Sequence, residues 1–412
     1  MANIQSSPHP LVFPVAASAG RAGKPVPNQV HVRVLARALE GMQKEALVAT
    51  GPGGRTWRMA CDEGPYLNGT DLAPFPLAFF ATGLVNSYLA EIVALAKAKD
   101  LPIDRIEVIQ ENFYTMEGSA VRGDMIGGAL PVALHVRIDS AATDAEVQSI
   151  VMNALARSPG DAYLRGVYMS EFSIVKNGKP VPTGEVRAWS GAPAPSLDDE
   201  IFDAAKPHAK ADFPKDIISK LSGAETVFNV EGGAGSSLKS DQKRTLHIRA
   251  IATLMKDGLS ETRVQLYKPI GSNFRFLCNI ENAAEGGERA PSPLAYLSAG
   301  IAFCYLTQIG RYASIMKYED LGYAIVQDMA FGLASGEGAT GTPPTVEPVR
   351  THVALTTALG DEIARKIVDM GERTCFLHAV SRTPLKSKVR VTDITRNSAE
   401  ETVEGSGAAA LR

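Results

Sequence analysis

Four cysteines, Cys61, Cys278, Cys304 and Cys375, and the histidine of Cys375-Phe-Leu-His378 are the residues of this 412-residue chain whose types and spacing could do chemistry. A thiolate attacks peroxide oxygen or electrophilic carbon, and two thiols within reach of each other close to a disulfide. His378 lies three residues, one helical turn, after Cys375 and is placed to act as a base. The same pair offers two metal ligands. A zinc site needs three or four, and no second pair lies close in sequence, so no metal is expected. The glycines of GPGG from Gly51 and GGAGSS from Gly232 lack the Lys-Ser/Thr or the strand–helix context of a phosphate loop. No cofactor is expected.

The chain contains its own control for these residues, because it is a tandem duplication. The segment APFPLAFFATGLVNSYLAEI from Ala73 returns as APSPLAYLSAGIAFCYLTQI from Ala290, an offset of 290 − 73 = 217 with nine of twenty positions identical. The same offset pairs Arg58 with Arg275, Cys61 with Cys278 and His135 with His352, and VHVRV from Val30 matches LHIRA from Leu246 at 216. Cys61 and Cys278 therefore read as an inherited packing pair. Cys304 falls opposite Ser87. Cys375, in RTCFLHAV, aligns with Ala162, in GDAYLRGV, after a four-residue gap, and His378 then aligns with Arg165. Both unrepeated thiols lie in the second copy.

The elements that must position them read alike in the two copies. Alternating stretches at 31–36 and 247–252 predict strands that turn into further strands. A long helix follows, opened by Pro74/Pro76 and by Pro291/Pro293, and it is apolar nearly all round, so it is expected to be buried. Strands are predicted over 105–110 and 130–138, echoed at 323–329 and 351–356. Second helices start near Thr143 and Leu359, and closing strands lie at 170–176 and 386–391. This order predicts an α+β fold of antiparallel sheet with helices on one face, not alternating βαβ units. The expected organisation is a flexible N-terminal segment (1–28), repeat 1 (29–178), a linker with a short helix at Leu197–Ala205 (179–244), repeat 2 (245–395) and a flexible tail (396–412). Asp198-Asp199-Glu200 reads as the start of that short helix, with Ser196 as its cap.

Pro293-Leu-Ala-Tyr-Leu-Ser-Ala-Gly300-Ile-Ala-Phe-Cys304, with a second cysteine 375 − 304 = 71 residues later near the end of the second helix, resembles the OsmC/Ohr family of thiol peroxidases. The resemblance covers both copies. It implies two OsmC-like units, each a curved antiparallel sheet with a long buried helix, packed as an intrachain pseudo-dimer in place of the family's intertwined homodimer. It further implies Cys304 as the nucleophile on peroxide and Cys375 as the resolving thiol, at one site between the halves; the Ser87 side has lost its thiols. An external dithiol would regenerate the site, and a homodimer of the fused unit is a possible further assembly. The chain departs from the family where a Glu is expected ten residues before the first cysteine: Leu294 stands there, and Leu77 in the other copy. The nearest match to the family's Arg, in the early strand–turn–strand, is Lys256, opposite Glu40.

A replacement cation follows from helix geometry. Arg311 is seven residues after Cys304, about 20° round the helix and ~10 Å along it, and its side chain leans back toward the sulfur. Its partner in copy one is Ala94. Without the Glu, two other readings stay open beside a peroxidase of organic hydroperoxides. One is a cysteine-nucleophile hydrolase or lyase on a small apolar electrophile; the other is a non-catalytic small-molecule binder.

Composition excludes other classes. Lys+Arg 42 against Asp+Glu 45 leaves a net charge of −3, so no basic field is available for nucleic acid. No uninterrupted apolar run of eighteen or more residues marks a membrane span. The start MANIQSSPHP has neither the basic residues nor the unbroken apolar core of a secretory signal. Four cysteines make no disulfide framework, which points to a reducing cytoplasm.

Overall fold

The computed structural model describes residues 3–16, 26–51, 53–191, 199–208, 213–223, 242–281, 287–336 and 341–394. The first repeat opens with β1 (Val12–Pro14), β2 (Gln29–Ala38), β3 (Lys44–Gly51) and β4 (Thr56–Cys61), then the central helix α1 (Pro76–Ala98). It continues through β5 (Arg105–Gly118), β6 (Ile126–Ala129) and β7 (Ala133–Asp139), the helices α2 (Asp144–Arg157) and α3 (Pro159–Arg165), and β8 (Glu171–Lys176). The connecting stretch forms β9 (Lys179–Val181), β10 (Arg187–Ala188), α4 (Asp199–Ala204) and β11 (Ile218–Ser222). The second repeat runs β12 (Gln242–Leu254), β13 (Leu259–Lys268), β14 (Asn273–Asn279) and the central helix α5 (Pro293–Met316). After it come β15 (Gly322–Gly332), β16 (Thr345–Val346), β17 (Arg350–Thr356), α6 (Asp361–Thr374), α7 (Phe376–Arg382) and β18 (Lys388–Asp393). The expected α+β class and the repeated element order hold, with α4 over the expected short helix.

The sheets are mixed, and neither belongs to one repeat. One is ordered β1-β4-β3-β2-β15-β17-β8-β10 and the other β11-β14-β13-β12-β5-β7-β18. In the first, β2 of repeat 1 pairs antiparallel with β15 of repeat 2; in the second, β12 pairs with β5 over a register from Gln242↔Gly118 to Thr253↔Glu107. The expectation of all-antiparallel sheets is corrected at the far edges. There β8 and β18 arrive after a helical crossing and lie parallel to β17 and β7 of the opposite repeat. The repeats are thus interleaved strand by strand.

The stretches read as flexible or as linker contribute structure too. Within 1–28, β1 pairs with β4, and Phe13 and Val15 are buried beneath Phe202 and Ala205 of the α4 segment. Within 179–244, β10 and β11 extend one edge of each sheet. The GGAGSS run, Ser196 and the tail beyond Ile394 lie outside the described residues.

Between the sheets, α1 and α5 cross at a pair of glycines related by the 217 offset. A Cβ on Gly83 would sit 2.4 Å from the Leu297 nitrogen, and one on Gly300 would sit 2.5 Å from the Phe80 nitrogen. Only glycine lets the backbones approach so closely, and both helices are apolar on every side because each is enclosed by the other and by sheet. Among the described residues, α1 alone is long and apolar enough to cross a membrane. Seventeen of its residues are buried in the protein core.

Candidate active site

Cys304 lies in the middle of α5, whose N-cap Ser292 accepts a hydrogen bond from the Ala295 N–H and whose first residue is Pro293. Cys375 occupies a helix break: it ends α6 and begins α7, with φ −71° and ψ 119°. The break aims the first N–H groups of α7 at the sulfurs. The N–H groups of Leu377 and His378 face Cys304 and Cys375, and the two thiols lie close enough to act on each other's ionisation. Cys304 is 2% exposed and Cys375 fully buried. Burial, followed by the hydrogen bond with Cys375 and its charge, raises the Cys304 thiol well above the ordinary range. Burial also acts to raise Cys375, but the hydrogen bond from Cys304 and the charge and hydrogen bonding of His378 carry it well below. The two shifts are opposite, so Cys375 is the thiol of the pair that ionises first.

Cys304 borders a cavity of about 20 Å³, room for one water-sized group. Glu63, Tyr66 and Phe75 of repeat 1 and Arg244, Gln308 and Phe376 of repeat 2 share its lining. Thr307, Gln308 and Arg311 follow Cys304 along one face of α5. Glu63 meets that face from repeat 1: it accepts hydrogen bonds from Thr307 Oγ1 (2.8 Å) and Tyr66 OH (2.9 Å). Its loop is held by Asp62, which accepts from the backbone N–H of Glu63, Thr70 and Leu72 and from the Thr70 hydroxyl. Gly69 is required there, because a Cβ would overlap the Glu63 carbonyl. Burial pushes the Glu63 carboxyl up, opposed by Lys44 and by the hydrogen bonds from Thr307 and Tyr66.

Three cations accompany that carboxylate. Lys44, 1% exposed, donates to the Met42 carbonyl. Arg311 donates to Gln308 Oε1 at 3.1 Å; burial lowers it to about 10, against Glu63, Tyr66 and Cys304, which hold it up. Arg244 is lowered by burial and then by Arg311, against Tyr66 and Glu63. Both guanidiniums stay charged at neutral pH. The site therefore favours a negative charge on sulfur.

Of the residues singled out in the sequence, Cys304, Cys375, Arg311 and His378 come together. Lys256 does not: it is exposed in the β12–β13 turn, twelve residues along the strand from Arg244, about 40 Å if extended. The sequence reading missed Glu63, Arg244, Thr307, Gln308 and Tyr66. The duplication itself carried the signal, since at its offsets Glu63 falls opposite Ile280, Arg244 opposite Asn28 and Thr307 opposite Ala90.

The structure also corrects the alignment of the second cysteine. Ser158, not Ala162, is the counterpart of Cys375: it too ends one helix and begins the next, with φ −67° and ψ 121°, and no gap is needed. His378 then faces Asp161 across the pseudo-twofold, not Arg165. Ser87 and Ser158 reproduce the thiol pair in oxygen at 2.8 Å. Gly160 N–H donates to Ser87 and Asp161 N–H to Ser158, at the positions that Leu377 and His378 hold beside the sulfurs.

Residues 286–390 match the family described as OsmC-like protein. No curated protein matches the chain. Among solved structures, an OsmC-like hydroperoxide resistance protein from Jannaschia sp. CCS1 is similar at 21% identity, over 31% of this chain and 79% of that one, with a TM-score of 0.19. With the repeated sheet-and-helix architecture and its single retained thiol pair, the chain is a duplicated protein whose second repeat, over residues 286–390, belongs to the OsmC-like family.

Proposed function

We propose that this protein is a thiol peroxidase that reduces organic hydroperoxides at Cys304, with Cys375 as the resolving thiol. The observation that carries the reading is a pair of mutually coupled thiols of which Cys304 borders a buried cavity lined by Arg244. The OsmC-like family match, which spans both cysteines, supports it. Cys304 attacks the terminal peroxide oxygen; the O–O bond breaks, the sulfur becomes a sulfenic acid and the alkoxide leaves as alcohol after taking a proton. Cys375 then attacks the Cys304 sulfur and displaces water, and a disulfide forms. An external dithiol supplies two electrons and two protons to reopen it. Arg311 and Arg244 stabilise charge on the attacking sulfur and the departing oxygen. Glu63 holds Thr307 and offsets one of the cations; Leu77, at the other position where the family's Glu is expected, borders the same cavity and supplies no carboxylate.

Hydroperoxide consumption with a small dithiol tests the reading. Wild type is expected to turn over, Cys304→Ser to show none, and Cys375→Ser to stop after one equivalent. Equal rates in wild type and Cys304→Ser would refute it.

A further inference from the structure

His378 is fully buried, and neither ring nitrogen has a hydrogen-bond partner in good geometry among the described residues. Phe172 and Tyr305 lie against the ring, with centroids at 5.6 and 5.3 Å. A buried, unsatisfied imidazole is costly and calls for an explanation. The pseudo-twofold supplies a comparison at the same backbone position. Asp161 has every partner it needs: Tyr88 OH at 2.8 Å, Ser387 Oγ at 3.1 Å and Arg165 Nε at 2.6 Å. Beside the serine pair the side chain is tied into the structure; beside the thiol pair it is left open, one turn from a sulfur. The elements packed on α7 are α3, α5, α6 and β6, with β8 reaching the ring through Phe172 and its Glu171 and Lys176 paired with Arg187 and Asp361. Their ionisable groups near the dithiol are otherwise engaged. Tyr163 of α3 donates to the Leu377 carbonyl, Tyr305 of α5 to the Val368 carbonyl, and Glu372 of α6 is paired with Arg382 of α7. The residues of β6 are Ile, Gly, Gly and Ala. That leaves the Cys375 thiol for His378.

We propose that His378 is the proton acceptor of the dithiol, holding Cys375 as the thiolate of a thiolate–imidazolium pair so that Cys375 in turn takes the Cys304 proton as Cys304 attacks. The chemical role in turnover rests on the peroxidase reading; the ion pair does not. In the resting site one proton lies on Cys304 and one on His378. Over one oxidation both leave, one on the alcohol and one on the water displaced when Cys375 closes the disulfide. His378 ends neutral, and two electrons have passed from the sulfurs to the peroxide. Burial opposes it, but Cys304 and then His378 lower the Cys375 thiol, a direction that agrees with this assignment.

Thiolate absorbance near 240 nm, followed against pH on the reduced full-length protein, reads the ion pair without turnover. Wild type is expected to show one thiolate equivalent below the ordinary thiol range and three well above it. His378→Asn should move that first titration up by more than one pH unit. It should also slow hydroperoxide consumption at neutral pH at least tenfold, with recovery in alkali. Cys375→Ala, which keeps the imidazole, should abolish the low-pH thiolate. An unchanged first titration in His378→Asn overturns the proposal, as does a low-pH thiolate that survives Cys375→Ala. Should wild type show the titration yet consume no hydroperoxide, the peroxidase reading fails while the ion pair stands.

Discussion

Alanine at the crossing of the central helices is the sharpest probe of the fold. In Gly83→Ala the new Cβ would lie 2.4 Å from the Leu297 nitrogen, 2.5 Å from the Pro293 carbonyl oxygen and 2.7 Å from the Leu297 Cα. All three are backbone atoms of the partner helix, so no side chain can turn aside, and α1 and α5 must part by roughly 1 Å to restore ordinary contact. Overpacking of a rigid core costs about 1–3 kcal/mol, and a backbone clash belongs at or above the top of that range. Alanine returns about 1 kcal/mol of helix propensity. The net expectation is a loss of about 2–3 kcal/mol in denaturant unfolding, followed by the fluorescence of Trp57, which is buried in the core. Gly360→Ala, with nothing within 4 Å of its Cβ at the start of α6, should stay within about 0.5 kcal/mol of wild type. A Gly83→Ala protein as stable as wild type, or more so, would refute the tight crossing, since propensity alone acts in that direction.

Gly300→Ala should be destabilised comparably, and the double variant should lose less than the sum, because one separation relieves both clashes. Ser87→Cys with Ser158→Cys should install a second dithiol, since oxygens 2.8 Å apart already occupy the sulfur positions; mild oxidation should then consume four thiols per chain, against two in wild type. Glu63→Gln should lower hydroperoxide turnover about tenfold, or ~1.4 kcal/mol. Because burial raises the Glu63 carboxyl, the wild-type rate should fall as pH drops through a value above the ordinary carboxylate range, and this limb should be missing from the Glu63→Gln profile.

Much of the architecture was legible because duplication imposed the same pattern twice. The 217 offset exposed the paired central helices, the order of strands and the one-sided retention of Cys304 and Cys375. The exchange of strands was not legible, because the alternation in 247–252 says which face is buried and not which strand lies beside it. Lys256 failed as the cation because a hairpin turn carries a side chain away from the end of the strand where Arg244 lines the cavity. The second cysteine was aligned by the likeness of Tyr-Leu to Phe-Leu; the Ser-Pro pair at 158–159, an N-cap followed by proline in the first helical position, marks the helix restart and restores the register without a gap. Glu63 and Arg244 lie on different repeats. No local motif joins them, but both break the internal symmetry and could have been found by that test.

The central claim, a working sulfur pair on one side of the pseudo-dimer, is tested most directly by peptide mass mapping of the reduced full-length protein after one equivalent of an organic hydroperoxide. The expected product has lost two thiols to a Cys304–Cys375 bridge, with Cys61 and Cys278 still free. Four intact thiols, or a bridge to any other cysteine, would contradict it.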